Sequence, residues 1–187
     1  MQVADPDALT TSGGTVWFTG LSGAGKTTVA EALHDLLLEH GLGSYLLDGD
    51  ALRDGLNADL GFDEIDRMEN VRRLGEVAIL LARVGQLSIV SAISPYAAGR
   101  KAVRERHLEM AVTFVEVHVA TPLEVCEARD PKGLYARARR GELLSFTGIS
   151  HPYEPPESPE LSLSTEASPE QSALEVFAAM RTAALFG

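Results

Sequence analysis

Residues Gly20, Leu21, Ser22, Gly23, Ala24, Gly25, Lys26 and Thr27 match the pattern GxxxxGK[ST]. They stand between a β-rich run at Val16 to Thr19 and a helical pattern that begins at Lys26. That context commits the chain to a strand, a tight turn and a helix in succession. The glycines let backbone N–H groups and the helix N-terminus point at phosphate oxygens. Lys26 is placed to reach the β and γ phosphates of a nucleotide, and the Thr27 hydroxyl to help hold Mg2+. The motif names the nucleotide end of a reaction and leaves the acceptor open. No NKxD sequence of the guanine-reading kind occurs, and 187 residues leave no room for a coupled mechanical domain. A small-molecule kinase using ATP therefore leads.

The rest of the chain continues the rhythm. Strand candidates are Val16 to Thr19, Ser44 to Leu47, Leu87 to Ser91, Phe114 to Val119 and a weaker Leu161 to Thr165. Helical patterns fall between them. Lys26 to His40 is apolar at Val29, Ala32, Leu33, Leu36 and Leu37 and stops at Gly41, and Glu69 to Val84 repeats the pattern and stops at Gly85. Pro95 can open a third helix towards Glu109, Ala51 to Leu56 a short one, and Ser168-Pro169-Glu170 the last. The alternation predicts an α/β, three-layer architecture with a mostly parallel five-stranded sheet and helices on both faces. One domain over 1–187 is expected, with 1–13 as a flexible N-terminus and 133–160 as a mobile lid and substrate loop. Gly141 to Pro159 carries four prolines and little periodicity, which fits a loop covering a site or a plain surface connection.

Charge bounds the partners. Sixteen Lys plus Arg against 27 Asp plus Glu give a net charge of -11, which disfavours nucleic acid or an anionic membrane. A small anionic metabolite needs only a few local cations, and the cations here are mostly arginine, the only lysines being Lys26, Lys101 and Lys132. The single cysteine, Cys126, excludes an internal disulfide and reads as a small buried hydrophobe. The polar N-terminus and the lack of a long apolar run give a soluble, cytoplasmic expectation.

Acceptor candidates gather at the carboxyl ends of the strands, where ligands bind in an open parallel sheet. Asp48 and Asp50 follow the second strand. Asp50 could orient an acceptor hydroxyl and Asp48 could hold Mg2+ directly or through water, or the pair could cap a short helix. Arg67 and Asn70 share a helix face suited to an anion, although Asp66, Glu69, Arg72 and Arg73 could equally form a solvated ion-pair cluster. Ser94 lies at the same edge and could be an N-cap. Arg137, Arg139 and Arg140 read as a basic lid or as a solvated helix.

Taken together, GLSGAGKT, DGDALRDGLNADLGF, DRMENVRR, SAISPY, PLEVCEARDPKGLY and FTGISHPYEPP resemble the adenylylsulfate kinase (APS kinase) family over roughly Thr15 to Leu163. The resemblance implies the P-loop kinase fold and transfer of a phosphoryl group from ATP to the 3′-hydroxyl of adenylyl sulfate (APS), giving ADP and PAPS with Mg2+. It places ATP against Gly20 to Thr27, with Thr28 beside them and Arg129 at the adenine. It gives Arg53, Arg67 and Asn70 to the APS phosphosulfate and ribose region, and Phe62 and Phe146 to the APS adenine. Ile93, Lys132, Thr147, Gly148 and Ile149 complete that pocket, and Ser94 matches a family phosphoserine site. Direct in-line transfer is expected, with Lys26 and Mg2+ stabilising charge and Asp50 orienting the hydroxyl, because no base beside Ser94 is evident. A homodimer and a separate ATP sulfurylase are also implied. Ala92, Ala97 and Leu144 depart from the usual Phe, Arg and Lys. A kinase for another nucleotide, or a nucleotide-binding switch, remains the competing expectation.

Overall fold

The computed structural model describes residues 9–164 and 166–186. Five parallel strands form one sheet in the order β2-β3-β1-β4-β5. They are β1 (Gly14–Thr19), β2 (Ser44–Asp48), β3 (Leu87–Ser91), β4 (Phe114–Val119) and β5 (Leu161–Leu163). Every residue of β1 and β3 is buried, as expected of central parallel strands covered on both faces. Side chains alternate across β1. Val16 and Phe18 enter one core, built from α1 (Lys26–Glu39), α6 (Pro169–Thr182) and the short α4 (Leu123–Arg129) and α5 (Leu134–Arg139). Trp17 enters the other, under α2 (Glu64–Ala82) and α3 (Ala97–Glu109). Cys126 is fully buried in the first core. Among the described residues no helix is long and apolar enough to cross a membrane.

Local chemistry moves several boundaries from their expected places. Helix α2 starts five residues before Glu69, because the Asp63 side chain accepts the Asp66 amide at 2.9 Å and caps an earlier turn. Helix α3 starts at Ala97, and neither Ser94 nor Pro95 belongs to it. Ser94 has φ 41 and Tyr96 is extended, so the chain turns helical only after Pro95. The Ala97 amide is instead met at 2.7 Å by the carboxylate of Glu154, from the proline-rich loop. The short helix after β2 contracts to a 3-10 turn, Ala51–Asp54. At the last helix Ser168 and Gln171 form a reciprocal capping box with Pro169 in the first turn, as the sequence foreshadows.

The N-terminal expectation divides. Thr11 bridges to Phe186 and donates its hydroxyl to the Leu185 carbonyl at 2.7 Å, so this stretch joins the fold. Residues 1–8 of the expected flexible segment, and Thr165 of the fifth strand, lie outside the described residues.

His107 pins α3 to the sheet. It is fully buried, with Nδ1 2.8 Å from the Val103 carbonyl and Nε2 2.9 Å from the Thr15 hydroxyl. A carbonyl only accepts, so Nδ1 carries the proton and Nε2 accepts from Thr15. Burial holds its pKa below the ordinary 6.5, against weaker opposing contributions from the Val103 carbonyl and Glu76. As pH falls below 6.5 the unfolded chain takes up a proton that the folded chain resists, so stability declines. Thermal melts at pH 7 and pH 5 should show a smaller acid loss for His107→Gln than for the parent.

Candidate active site

The sheet directs its carboxyl edges into one cleft of about 500 Å3, and the phosphate-binding loop forms one wall. Gly20 has φ 152, and a Cβ there would come within 2.7 Å of the Val119 carbonyl of β4. Gly25 has φ 102 and precedes α1 without a side-chain cap, which leaves the first helical amides facing the loop. Lys26 is buried and donates to the Leu21 carbonyl at 2.8 Å. Burial lowers its pKa to about 8, an effect only partly offset by Asp50 and Asp48.

The Thr27 hydroxyl joins three elements. It donates to Asp48 Oδ2 at 3.0 Å and lies 3.0 Å from the Ser91 hydroxyl at the end of β3. Asp48 Oδ1 accepts the amides of Asp50 and Ala51 at 2.9 and 3.1 Å. One carboxylate oxygen of Asp48 therefore braces the turn after β2 while the other meets Thr27. A hydroxyl and a carboxylate oxygen this close are hard donors that fit Mg2+ with its retained waters. Asp50 projects from the next turn and pairs with Lys132 at 2.6 Å, across the cleft from the turn joining α4 to α5.

At the far end two arginines organise aromatic residues. Arg53 lies 4.2 Å over the Phe62 ring and donates to the carbonyls of Leu60 and Gly61. Arg67 is buried, and each of its three nitrogens makes a hydrogen bond. Its Nε donates to the Phe62 carbonyl, and its two terminal nitrogens donate to the Thr147 hydroxyl and the Ser145 carbonyl, at 2.5 to 2.7 Å. Arg67 thus straps the loop bearing Phe62 to the loop bearing Phe146 while lining the cleft between them. Glu69, Arg72 and Arg73 form the surface ion-pair cluster expected as the alternative for this segment, but with Asp59 as the fourth member; Asp66 instead accepts the Gly61 amide at 2.7 Å. Asn70 accepts from Nδ2 of Asn57, which is fully buried and went unnoticed in the sequence because nothing in its spacing sets it apart.

Ser22, Gly23, Gly25, Lys26, Thr27, Thr28, Asp48, Asp50, Arg53, Phe62, Arg67, Asn70, Ile93, Ser94, Arg129, Lys132, Phe146 and Thr147 all line this cleft. Gly148 and Ile149 do not; with Leu21 they line a neighbouring depression. Ser94 is buried, and its hydroxyl accepts from Trp17 Nε1 at 3.1 Å, so it is no helix cap. Arg139 pairs with Glu127, and Arg137 and Arg140 with Glu142, so the basic helix is laced by ion pairs on its own side.

The family profile described as Adenylylsulphate kinase matches residues 12–164. The chain belongs to the adenylylsulphate kinase family. It is 55% identical over 164 residues to the bifunctional enzyme CysN/CysC of Mycobacterium tuberculosis, covering 88% of this chain but only 27% of that protein. It is 55% identical over 154 residues to the adenylyl-sulfate kinase of Saccharomyces cerevisiae, covering 82% of this chain and 76% of the yeast protein. Among solved structures, the Mycobacterium tuberculosis APS kinase CysC in complex with AMPPNP and APS superposes with a TM-score of 0.89 at 53% identity, covering 90% of this chain and 98% of that one. The all-parallel sheet and the phosphate-binding loop are those of a P-loop kinase, in agreement with the expected fold.

Lys26 makes nucleotide binding pH-dependent. A bound triphosphate favours the charged ammonium, so binding takes up a proton wherever free Lys26 is neutral. Affinity for a non-hydrolysable ATP analogue should be full below pH 8 and fall as pH rises through about 8. Titration calorimetry in two buffers of different ionisation enthalpy should show proton uptake above that pH, and Lys26→Met should abolish it.

Proposed function

We propose that this chain transfers the γ-phosphoryl group of ATP to the 3′-hydroxyl of adenylyl sulfate, giving ADP and 3′-phosphoadenylyl sulfate. The observation that carries this reading is the single cleft in which Lys26, Thr27 and Asp48 face Asp50, Arg53, Phe62, Asn70 and Phe146. One end is chemically matched to a triphosphate, and the other to a planar base joined to an anion. A nucleotide-binding switch has no need of the second end.

The loop amides and Lys26 hold the β and γ phosphates, and Asp50 orients the acceptor hydroxyl towards the γ phosphorus. As the new O–P bond forms and the bond to the β-phosphate oxygen breaks, Lys26 stabilises the charge gathering on ADP. The hydroxyl proton passes to Asp50 or through it to solvent. Thr27 and Asp48 would hold Mg2+, which supplies charge neutralisation between the β and γ phosphates when bound. Transfer is direct. Ser94 Oγ meets Trp17 Nε1 and, at 3.4 Å, the Ala92 carbonyl; neither group can take its proton as a base, so Ser94 has nothing to activate it as a nucleophile.

The test is purified protein with ATP, Mg2+ and APS, followed for ADP and PAPS, beside a panel of other phosphorylated nucleotides. APS should be the preferred acceptor; ADP formed only with another nucleotide, or with none, would overturn the assignment. Asp50→Asn should lower kcat by about 10²-fold or more with ATP affinity retained. Ser94→Ala should keep turnover within about tenfold of the parent, whereas loss of the activating step of a covalent route costs about 10⁴-fold or more.

A further inference from the structure

The Ser94 turn and Asp130 are the two non-glycine stretches of left-handed backbone beside the cleft among the described residues. Ser94 is a non-glycine residue at φ 41, next to Pro95, and it lines the acceptor end. Such a conformation persists only where the surroundings over-determine it. Those surroundings converge on Arg100, one turn into α3 and absent from the cleft lining.

Arg100 is 3% exposed, and each of its nitrogens has a separate task. Nη1 donates to the Ser94 carbonyl at 2.6 Å and Nη2 to the Glu154 carbonyl at 2.6 Å, while Nε donates to Glu116 of β4 at 2.9 Å. One planar fork therefore ties the Ser94 turn to the proline-rich loop and to the sheet at once. The same two segments are stitched twice more. The Glu154 amide donates to the Pro95 carbonyl at 2.8 Å, and the Glu154 carboxylate accepts the Ala97 amide. Tyr153, its ring 5.9 Å from the Arg100 guanidinium, bonds through its hydroxyl to Thr19, and Thr19 donates to the Ile93 carbonyl. Thr19 is the last residue of β1, immediately before the phosphate-binding loop. Glu116 is in turn held by Arg104, which also grips Glu160.

We propose that Arg100 is a positioning residue for the acceptor: by holding the Ser94 and Glu154 carbonyls together it sets where Ile93, Ser94 and Pro95 meet the acceptor nucleotide. It acts on the acceptor end and leaves the ATP end, which is built from its own backbone, untouched. The assignment of that acceptor as APS rests on the function proposed above, but the clamp itself does not.

Arg100→Lys tests this, because lysine keeps a positive charge for Glu116 but cannot serve three separated acceptors with one ammonium. The expected result is a folded protein whose KM for APS rises about tenfold, with KM for ATP within twofold. Trp17 is the single tryptophan, and its indole N–H bonds to Ser94, so its emission should change with the turn. A folded variant with unchanged KM for APS, or with both KM values raised alike, overturns the proposal. If the parent protein itself fails to use APS, the proposed function falls and Trp17 emission decides the clamp: unchanged emission in Arg100→Lys refutes it and altered emission supports it. Should Arg100→Lys not fold, Tyr153→Phe removes one tie to Thr19 and is judged by the same readouts, with a smaller rise expected.

Discussion

The Thr27 hydroxyl is the contact on which the active cleft depends. It sits on the first turn of α1, bonds to Asp48 at the end of β2, and lies against Ser91 at the end of β3. The phosphate-binding loop leaves β1, so this one group fixes the relative positions of three strand ends. The strand order makes that possible, because β3 pairs with both β1 and β2 and brings three carboxyl edges side by side. Everything downstream, from the turn carrying Asp50 to the Lys132 partner beyond it, is placed from this corner.

Two kinds of ion pair divide the labour. Asp50 and Lys132 are each more than half exposed, and such pairs contribute roughly 0–1 kcal/mol, so an arriving hydroxyl or phosphate can displace the partner at little cost. Arg100 and Glu116 are almost wholly buried, where removing one partner typically costs about 3–5 kcal/mol. On the function proposed above, the exposed pair lies where chemistry needs exchange, and the buried pair lies where the frame must not move. Arg67 belongs with the second kind. Charge-assisted bonds contribute about 1.5–3 kcal/mol each, and it makes three of them to the Phe62 and Phe146 loops.

This division explains what could be read from the sequence. The nucleotide end is written in backbone chemistry at fixed spacing, so GLSGAGKT between a strand and a helix put Ser22, Gly23, Gly25, Lys26, Thr27 and Thr28 on the cleft wall without tertiary information. The sheet followed from the alternation of β-rich runs and helical stripes, because each central strand is buried on both faces. Helix starts were less legible. Asp63 starts α2 five residues before Glu69 by accepting the Asp66 amide, and α3 takes its cap from Glu154, 57 residues away in sequence. Arg100, Asn57 and Trp17 were invisible for the same reason: their significance lies in partners brought in by the fold.

Three positions that depart from the usual family residues, Ala92, Ala97 and Leu144, lie outside the phosphate-binding loop. Ala92 lines the cleft beside Ile93, and a Cβ at Gly49 would come within 3.2 Å of its methyl, so a small side chain here leaves the DGD turn close to the end of β3. Ala97 contributes its backbone amide to Glu154, a role that any residue but proline can fill. Leu144 is 85% exposed, so its loss of charge alters the electrostatics of the loop without disturbing its packing. None of the three touches the Thr27 corner, and Ala97 meets the Arg100 clamp through its backbone amide alone.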